Sequence, residues 1–314
     1  MTAEPADPAP ADEPRNTTDA ASARARRALA ALHGLRVGDA LGAQFFVPAH
    51  LSLLRRAEVP PPPWSWTDDT EMACSVLAGL LTRGAVDQDD LARSFAAHHD
   101  FDRGYGPAAG RMLRLIRQEG GDWRELSAGL FHGSGSYGNG AAMRVAPLGA
   151  WYAGDPERAA AEAARSAEVT HRHPEGVAGA VAVALAAAAV AGGERDPRAL
   201  LGAVLKGTPD SAVRAGVRRA AGLLDYRDVG TVAAVLGNGR NVTAQDTVPF
   251  AVWAAARHRG DFPGTVWACV RAGGDIDTTC AIAGGIVASA PEGAPPPDWL
   301  AATEPLPDWL PPLP

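Results

Sequence analysis

Residues 60–76 read PPPPWSWTDDTEMACSV. Four consecutive prolines, Pro60 to Pro63, stop any helix. Two tryptophans follow, then Thr67, Asp68 and Asp69, then a run that reads as a core helix. Thr67 or Asp68 is a natural N-cap, and Glu71 stands three residues past Asp68 in capping-box spacing. A cap needs one Asp and one Glu. Asp69 is surplus, and a second carboxylate in a first turn is repelled by the first unless something positive sits between them.

The same reading extends along the chain. Apolar residues recur at three- and four-residue steps over Ala23–Asp39 (Ala28, Leu32, Leu35). Helices are expected there and over 67–82, 88–99, 108–119, 156–168, 175–192, 211–224, 228–236, 247–257, 262–272 and 278–289, punctuated by Gly, Pro and Asn. Strand-like alternation is nearly absent, and no fixed repeat spacing recurs. These features predict an all-α, compact orthogonal multi-helix bundle over residues 22–290. Residues 1–21, rich in Pro, Ala, Asp and Glu, are expected to be disordered. Residues 291–314 form a Pro-rich segment with PDWL at Pro297–Leu300 and Pro307–Leu310, expected to pack its two tryptophans on the domain.

Composition narrows the partners. The chain has 314 residues, 46% of them hydrophobic, and a net charge of −7. No basic stripe suits a nucleic-acid duplex, so bulk nucleic acid is not an expected partner. The one dense basic run, SARARR (Ser22–Arg27), reads as the solvated start of a helix. Three cysteines, Cys74, Cys269 and Cys280, are odd in number and widely spaced. That argues for a reducing, cytoplasmic setting, against disulfides, and against a zinc site. The opening residues do not read as a signal peptide. The most apolar run, Gly176–Gly193, is mostly alanine and slightly short for a bilayer, so it reads as a core helix.

A second carboxylate pair lies in RAGGDIDTTCAIAGGIVAS, Arg271–Ser289. Asp275 and Asp277 are two apart, after two glycines that permit an extended turn. Thr278 follows, then an apolar helix. If the two helix starts meet, four carboxylates and two threonine hydroxyls converge. That all-oxygen set suits hard divalent cations: Mg²⁺ first, then Mn²⁺ or Ca²⁺. Two ions would account for so many acids. The competing reading of each pair is simple helix capping.

HGSGSYGNG, His132–Gly140, holds four glycines and an Asn. Successive backbone N–H groups in such turns form anion sites, and a helix starting near Ala141 would add its dipole. The loop therefore suggests a phosphate-containing ligand. Arg103–Gly106 (RGYG) is a smaller turn presenting Tyr105, and Thr170–Gly176 (THRHPEG) carries His171 and His173.

Five ordered segments together resemble the ADP-ribosylglycohydrolase family: GLRVGDALGAQFF (Gly34–Phe46), WTDDTEMA (Trp66–Ala73), RGYG (Arg103–Gly106), GSYGNGAAMR (Gly135–Arg144) and GGDIDTTCAIAGG (Gly273–Gly285). The resemblance implies an all-α hydrolase with two Mg²⁺ ions, Mn²⁺ being a possible substitute. It implies metal ligands at Thr67, Asp68, Asp69, Asp275, Asp277 and Thr278. ADP-ribose is then expected along Gly135, Ser136, Tyr137, Gly138 and Asn139, with His171 nearby and Gly104, Tyr105 and Gly106 lining the distal ribose and adenosine side. The implied reaction is hydrolysis of the bond from the distal ribose to an acceptor, a serine- or arginine-linked protein side chain or a small conjugate. Asp68, Asp69 and Asp277 are the expected catalytic carboxylates, and Asp102 matches one proposed for the arginine-specific branch. One position departs: where many members carry a Glu near the metals, this chain has Phe46. That departure raises a second reading, a family member that holds ADP-ribose without turnover. A class I terpenoid synthase is a third. Asp68-Asp69-Thr70-Glu71 places its Glu one residue too early for that motif, and a 6% aromatic content is poor for a carbocation pocket.

Overall fold

The computed structural model describes residues 13–313; of the expected disordered segment 1–21, residues 1–12 lie outside them, and residues 13–21 are helical instead, as the start of the first helix. Sixteen α-helices and no strands are formed among the described residues. In chain order they are α1 Glu13–Ala43, α2 Leu51–Leu54, α3 Asp68–Arg83, α4 Gln88–His98, α5 Pro107–Glu119 and α6 Trp123–Gly133. Then come α7 Ala146–Trp151, α8 Pro156–Glu168, α9 Pro174–Ala191, α10 Pro197–Gly207 and α11 Ala212–Gly222. The last five are α12 Val229–Leu236, α13 Ala244–Arg257, α14 Phe262–Ala272, α15 Ile276–Val287 and α16 Pro297–Ala302. α1 begins ten residues before the expected Ala23.

Asp residues mark many of the helix starts. Asp87, Asp122, Asp155, Asp196, Asp228 and Asp261 each cap a helix by accepting from a backbone N–H one to three residues inside it. The alanine-rich α9 is long and apolar enough to cross a membrane, but here it is a core helix. It packs on α7, α8, α10, α11, α13 and α15, and its small side chains let those neighbours approach closely.

The packing that matters most for the site joins α1 to α15. Gly34, Gly38 and Gly42 fall four residues apart on one face of α1. A Cβ at Gly38 would collide with the carbonyl oxygen of Cys280, one at Gly34 with Gly284, and one at Gly42 would lie 2.7 Å from Asp277 Cα. The glycine stripe thus seats α15 directly on the α1 backbone and brings Asp277 beside the end of α1.

The glycine loop differs from expectation. Only a three-residue 3₁₀ turn, Asn139–Ala141, forms where a helix was expected, and α7 starts at Ala146. The loop instead meets the starts of α9 and α13, His173 N–H donating to Ser136 O at 3.3 Å and Ala244 N–H to Tyr137 O at 3.0 Å. The C-terminal segment packs on the domain: Trp299 lies edge-on to Trp64 at 6.3 Å, and Trp309 stacks on His98 at 3.7 Å.

Candidate active site

The two acid-bearing helix starts meet. Thr67 is the N-cap of α3, its hydroxyl accepting from Asp69 N–H at 3.5 Å. Asp68 and Asp69 occupy the first turn of α3. On the other side, Gly273 and Gly274 both adopt positive φ, which turns the chain into Asp275 at the N-cap of α15 and Asp277 in its first turn. Asp277 Oδ1 accepts from Thr278 N–H at 2.8 Å. Thr278 Oγ1 approaches Asp69 Oδ2 to 3.5 Å. All six expected metal-binding residues therefore belong to one cluster.

Asp39, in α1, completes it and was not singled out from the sequence. It is fully buried. Its Oδ1 accepts from Thr67 Oγ1 at 2.7 Å, and its Oδ2 from Thr67 N–H at 2.9 Å, Thr70 N–H at 3.2 Å and Thr70 Oγ1 at 2.6 Å. One oxygen from each of Asp39, Asp69 and Asp277 lies within 4.8 Å of the other two. Asp275 is held by Asn139, whose Nδ2 donates to Asp275 Oδ2 at 2.6 Å and to Thr247 Oγ1 at 3.0 Å. The glycine loop is thereby tied to the acid cluster.

Glu71 does not return to the helix cap as capping-box spacing suggests. Its Oε2 accepts from Tyr105 Oη at 2.7 Å and from Asp100 N–H at 3.1 Å. Tyr105 is accordingly drawn to the α3 side, edge-on to His99 at 4.5 Å, and does not line the cleft, contrary to its expected ligand role.

The acids are strongly coupled. Burial first, then the field of Asp39, pushes Asp68 up to about 8. Burial, then neighbouring carboxylates, drives Asp69 and Asp277 well above the usual carboxylate range. One buried cation, Arg144, feels the field of Asp68. Its guanidinium donates to Ser166 O at 2.7 Å and Gly140 O at 3.3 Å and lies over the Phe95 ring. Burial pushes Arg144 down to about 9, while Tyr105 and Asp68 act to raise it. One arginine does not neutralise five clustered aspartates. Asp69 Oδ1 is also buried with no hydrogen-bond partner. An unpaired carboxylate oxygen in an all-oxygen cluster is what a hard cation would satisfy.

A cleft of about 540 Å³ opens above the cluster. Asp68, Asp69, Asp275, Asp277 and Thr278 form its floor. Ser136–Gly140 line one wall, Gly104 and Gly106 another, and Asn241–Thr243 a third. Gly135 is not among the lining residues; it turns at φ +73° against the backbone of His173. His171 lines the cleft and accepts or donates to Thr170 Oγ1 at 2.7 Å. Burial, then Arg144, lowers it to about 3, so its ring is neutral. At the mouth Phe131 and Tyr137 sit 6.0 Å apart, both exposed. Phe131 holds a left-handed backbone conformation, φ 50°, ψ 52°, and nothing in the local sequence announces its role. Asp102 is exposed and is not among the residues lining the cleft. Phe46 is 52% exposed and does not line the cleft.

A sequence model of the ADP-ribosylglycohydrolase family matches residues 20–314. ADP-ribosylhydrolase ARH3 of Gallus gallus is 30% identical, over 87% of this chain and 88% of its own length. The Homo sapiens ARH3 is 29% identical over 82% and 83%. The ADP-ribosyl-[dinitrogen reductase] glycohydrolase of Rhodospirillum rubrum is 32% identical over 47% and 52%. A solved structure described as an ADP-ribosylglycohydrolase-related protein complex superposes with a TM-score of 0.66 at 30% identity, over 90% of this chain and 93% of that one. The chain belongs to the ADP-ribosylglycohydrolase family, hydrolases of glycosyl bonds to ADP-ribose.

Proposed function

We propose that this chain is a Mg²⁺-dependent ADP-ribosylhydrolase that frees ADP-ribose from a modified protein side chain or a small conjugate. The observation that carries this reading is the junction of the two aspartate pairs at the floor of one polar cleft. Thr67, Asp68, Asp69, Asp275, Asp277 and Thr278 would hold two ions, with Mn²⁺ able to substitute, and Asp39 would hold Thr67 in place. Bound there, divalent cations offset the carboxylate repulsion and supply electrophilic stabilisation to the ribose hydroxyls.

The remaining work falls to the chain's own residues. Asp68 or Asp69 accepts the proton of the attacking water as its oxygen bonds to the anomeric carbon. The bond to the acceptor breaks, and a proton returns to the leaving atom. Backbone groups of Ser136–Gly140 bind the diphosphate, and neutral His171 offers a hydrogen bond without adding charge. The exposed pair Phe131 and Tyr137 suits the face of a purine base. Buried free cysteines fit a reducing, cytoplasmic setting.

Phe46 does not support the alternative of binding without turnover, because it stands outside the cleft and leaves all the clustered acids in place. The test is release of ADP-ribose, read by mass spectrometry, from serine-linked and arginine-linked peptides and from a small conjugate. Release should require Mg²⁺ and disappear in Asp277→Ala. Equal release by Asp277→Ala, or none from any linkage by the wild type, would sink the proposal.

A further inference from the structure

The turn Asp100–Gly106 is gripped from two sides by two carboxylates. On the inner side Glu71, from the first turn of α3, accepts from Tyr105 Oη and Asp100 N–H. On the outer side Glu304, from the C-terminal segment, takes both ends of the Arg103 guanidinium, at 2.8 Å and 2.7 Å. A bidentate arginine–carboxylate pair fixes direction as well as distance. Arg103 also lies 3.4 Å over the Trp66 ring and donates to Trp66 O at 2.9 Å. Trp66 in turn is tied to the C-terminal segment, its Nε1–H donating to Pro305 O at 3.1 Å.

The segment is itself pinned beside the acid pair. Trp64 N–H donates to Ala302 O, and Glu304 N–H donates to Trp64 O, each at 2.8 Å. Trp299 and Trp309 anchor the two sides of this strap. Glu304 thus joins three things: the strap, the tryptophan loop leading into Thr67–Asp69, and the turn whose Gly104 and Gly106 line the cleft.

We infer that Glu304 is a positioning residue for ligand binding, acting through Arg103 to hold the Gly104–Gly106 wall against the ligand. Glu304 does not line the cleft, so it touches no substrate. The inference rests on the ADP-ribose reading above, and it predicts a separation of effects. The acids sit on α3 and α15, held by Asp39 and Asn139 rather than by Glu304. Loosening the wall should therefore weaken binding more than the chemical step.

The experiment compares wild type, Glu304→Ala, Glu304→Gln and the control Glu292→Ala in the full chain. Glu292 lies in the same C-terminal region but pairs with Arg259. ADP-ribose affinity is measured by calorimetry, kcat and KM are measured on the released linkage, and amide hydrogen exchange is followed over residues 100–106. Glu304→Ala should weaken ADP-ribose binding and raise KM about 10- to 100-fold, with kcat within about threefold. Exchange should rise locally, Glu304→Gln should fall between, and Glu292→Ala should match wild type. Wild-type affinity in Glu304→Ala, or a loss matched by Glu292→Ala, would overturn the inference and leave the functional reading intact. A wild-type protein that binds no ADP-ribose would overturn both.

Discussion

Thr278 Oγ1 lies 3.5 Å from Asp69 Oδ2, a contact between residues 209 positions apart. It marks where the starts of α3 and α15 converge, and it explains why each start carries one more carboxylate than a cap needs. Repulsion within each pair is tolerable only if the pairs share a counter-charge. Arg144 bears on Asp68, and bound cations would supply the rest.

Asp39→Asn tests whether the buried acid of α1 belongs to the site. Its carboxylate receives four hydrogen bonds from Thr67 and Thr70. An amide presents one acceptor oxygen and one donor nitrogen, so at least one of those bonds is lost or reversed. Thr67 would then shift, and with it Asp69. ADP-ribose release should fall about 10- to 100-fold, as for other residues that orient metal ligands. Metal-induced stabilisation, read by thermal denaturation, should fall with it. Wild-type values in both would show that Asp39 serves the fold alone.

Gly38→Ala addresses the α1–α15 seat. The added methyl would drive into the carbonyl of Cys280. That atom is backbone within a packed helix, so the helices must separate. Overpacking of this kind costs about 1–3 kcal/mol or more, and it would carry Asp277 away from Asp39. The expected result is a lower unfolding midpoint in denaturant together with weaker metal binding. The surface change Gly79→Ala, where a Cβ meets nothing within 4 Å, should do neither.

The helices were legible because Asp and Pro punctuate them at the chain level, as in DPER, DPRA and DFPG. Where the signal was missed, as at α10, the cap and proline were present but the apolar periodicity is short. The paired aspartates were legible as surplus charge. Asp39 was not, since a single acid within an apolar helix is visible only once the burial of its face is known. Its neighbours Gly38 and Gly42 carried the clue, a four-residue stripe that leaves room for another backbone. Tyr105 and Phe131 show the opposite limits. A tyrosine in a glycine turn reads as a ligand contact, but Glu71 claims its hydroxyl. Phe131 reaches the cleft mouth through a left-handed backbone that no local pattern predicts.

Phe46 is a position where the sequence raises an alarm that the geometry quiets. The side chain is half exposed and outside the cleft. Surface substitutions of that kind stay within about 0.5 kcal/mol. Phe46→Ala should leave stability, metal-induced stabilisation and ADP-ribose affinity unchanged within about twofold. Turnover measured on each linkage is the sensitive readout. A selective loss on one acceptor would show that Phe46 meets the acceptor rather than the metals. Phe46→Glu should tighten Mg²⁺ binding only if the acid reaches the cluster.

The pH dependence of the metal-free protein follows from the raised carboxylates. Asp68 is pushed up to about 8, and Asp69 and Asp277 lie well above their ordinary range. The unfolded chain releases these protons near pH 4, at the ordinary aspartate value. Between about pH 4 and about pH 8 the folded state therefore holds more protons than the unfolded state. With the unfolded state binding fewer, stability from these groups falls as pH rises through that window. Bound cations replace the protons, so the penalty is removed rather than shifted. Thermal denaturation with chelator should give a midpoint that declines from about pH 5 towards about pH 8. With Mg²⁺ the decline should flatten, so that the stabilisation by Mg²⁺ grows with pH. In Asp69→Asn the chelated protein should lose part of its decline, since one of the repelled charges is gone. A chelated midpoint that rises over this range in the wild type, with no change in Asp69→Asn, would mean that the acids are not held together as a single charged cluster.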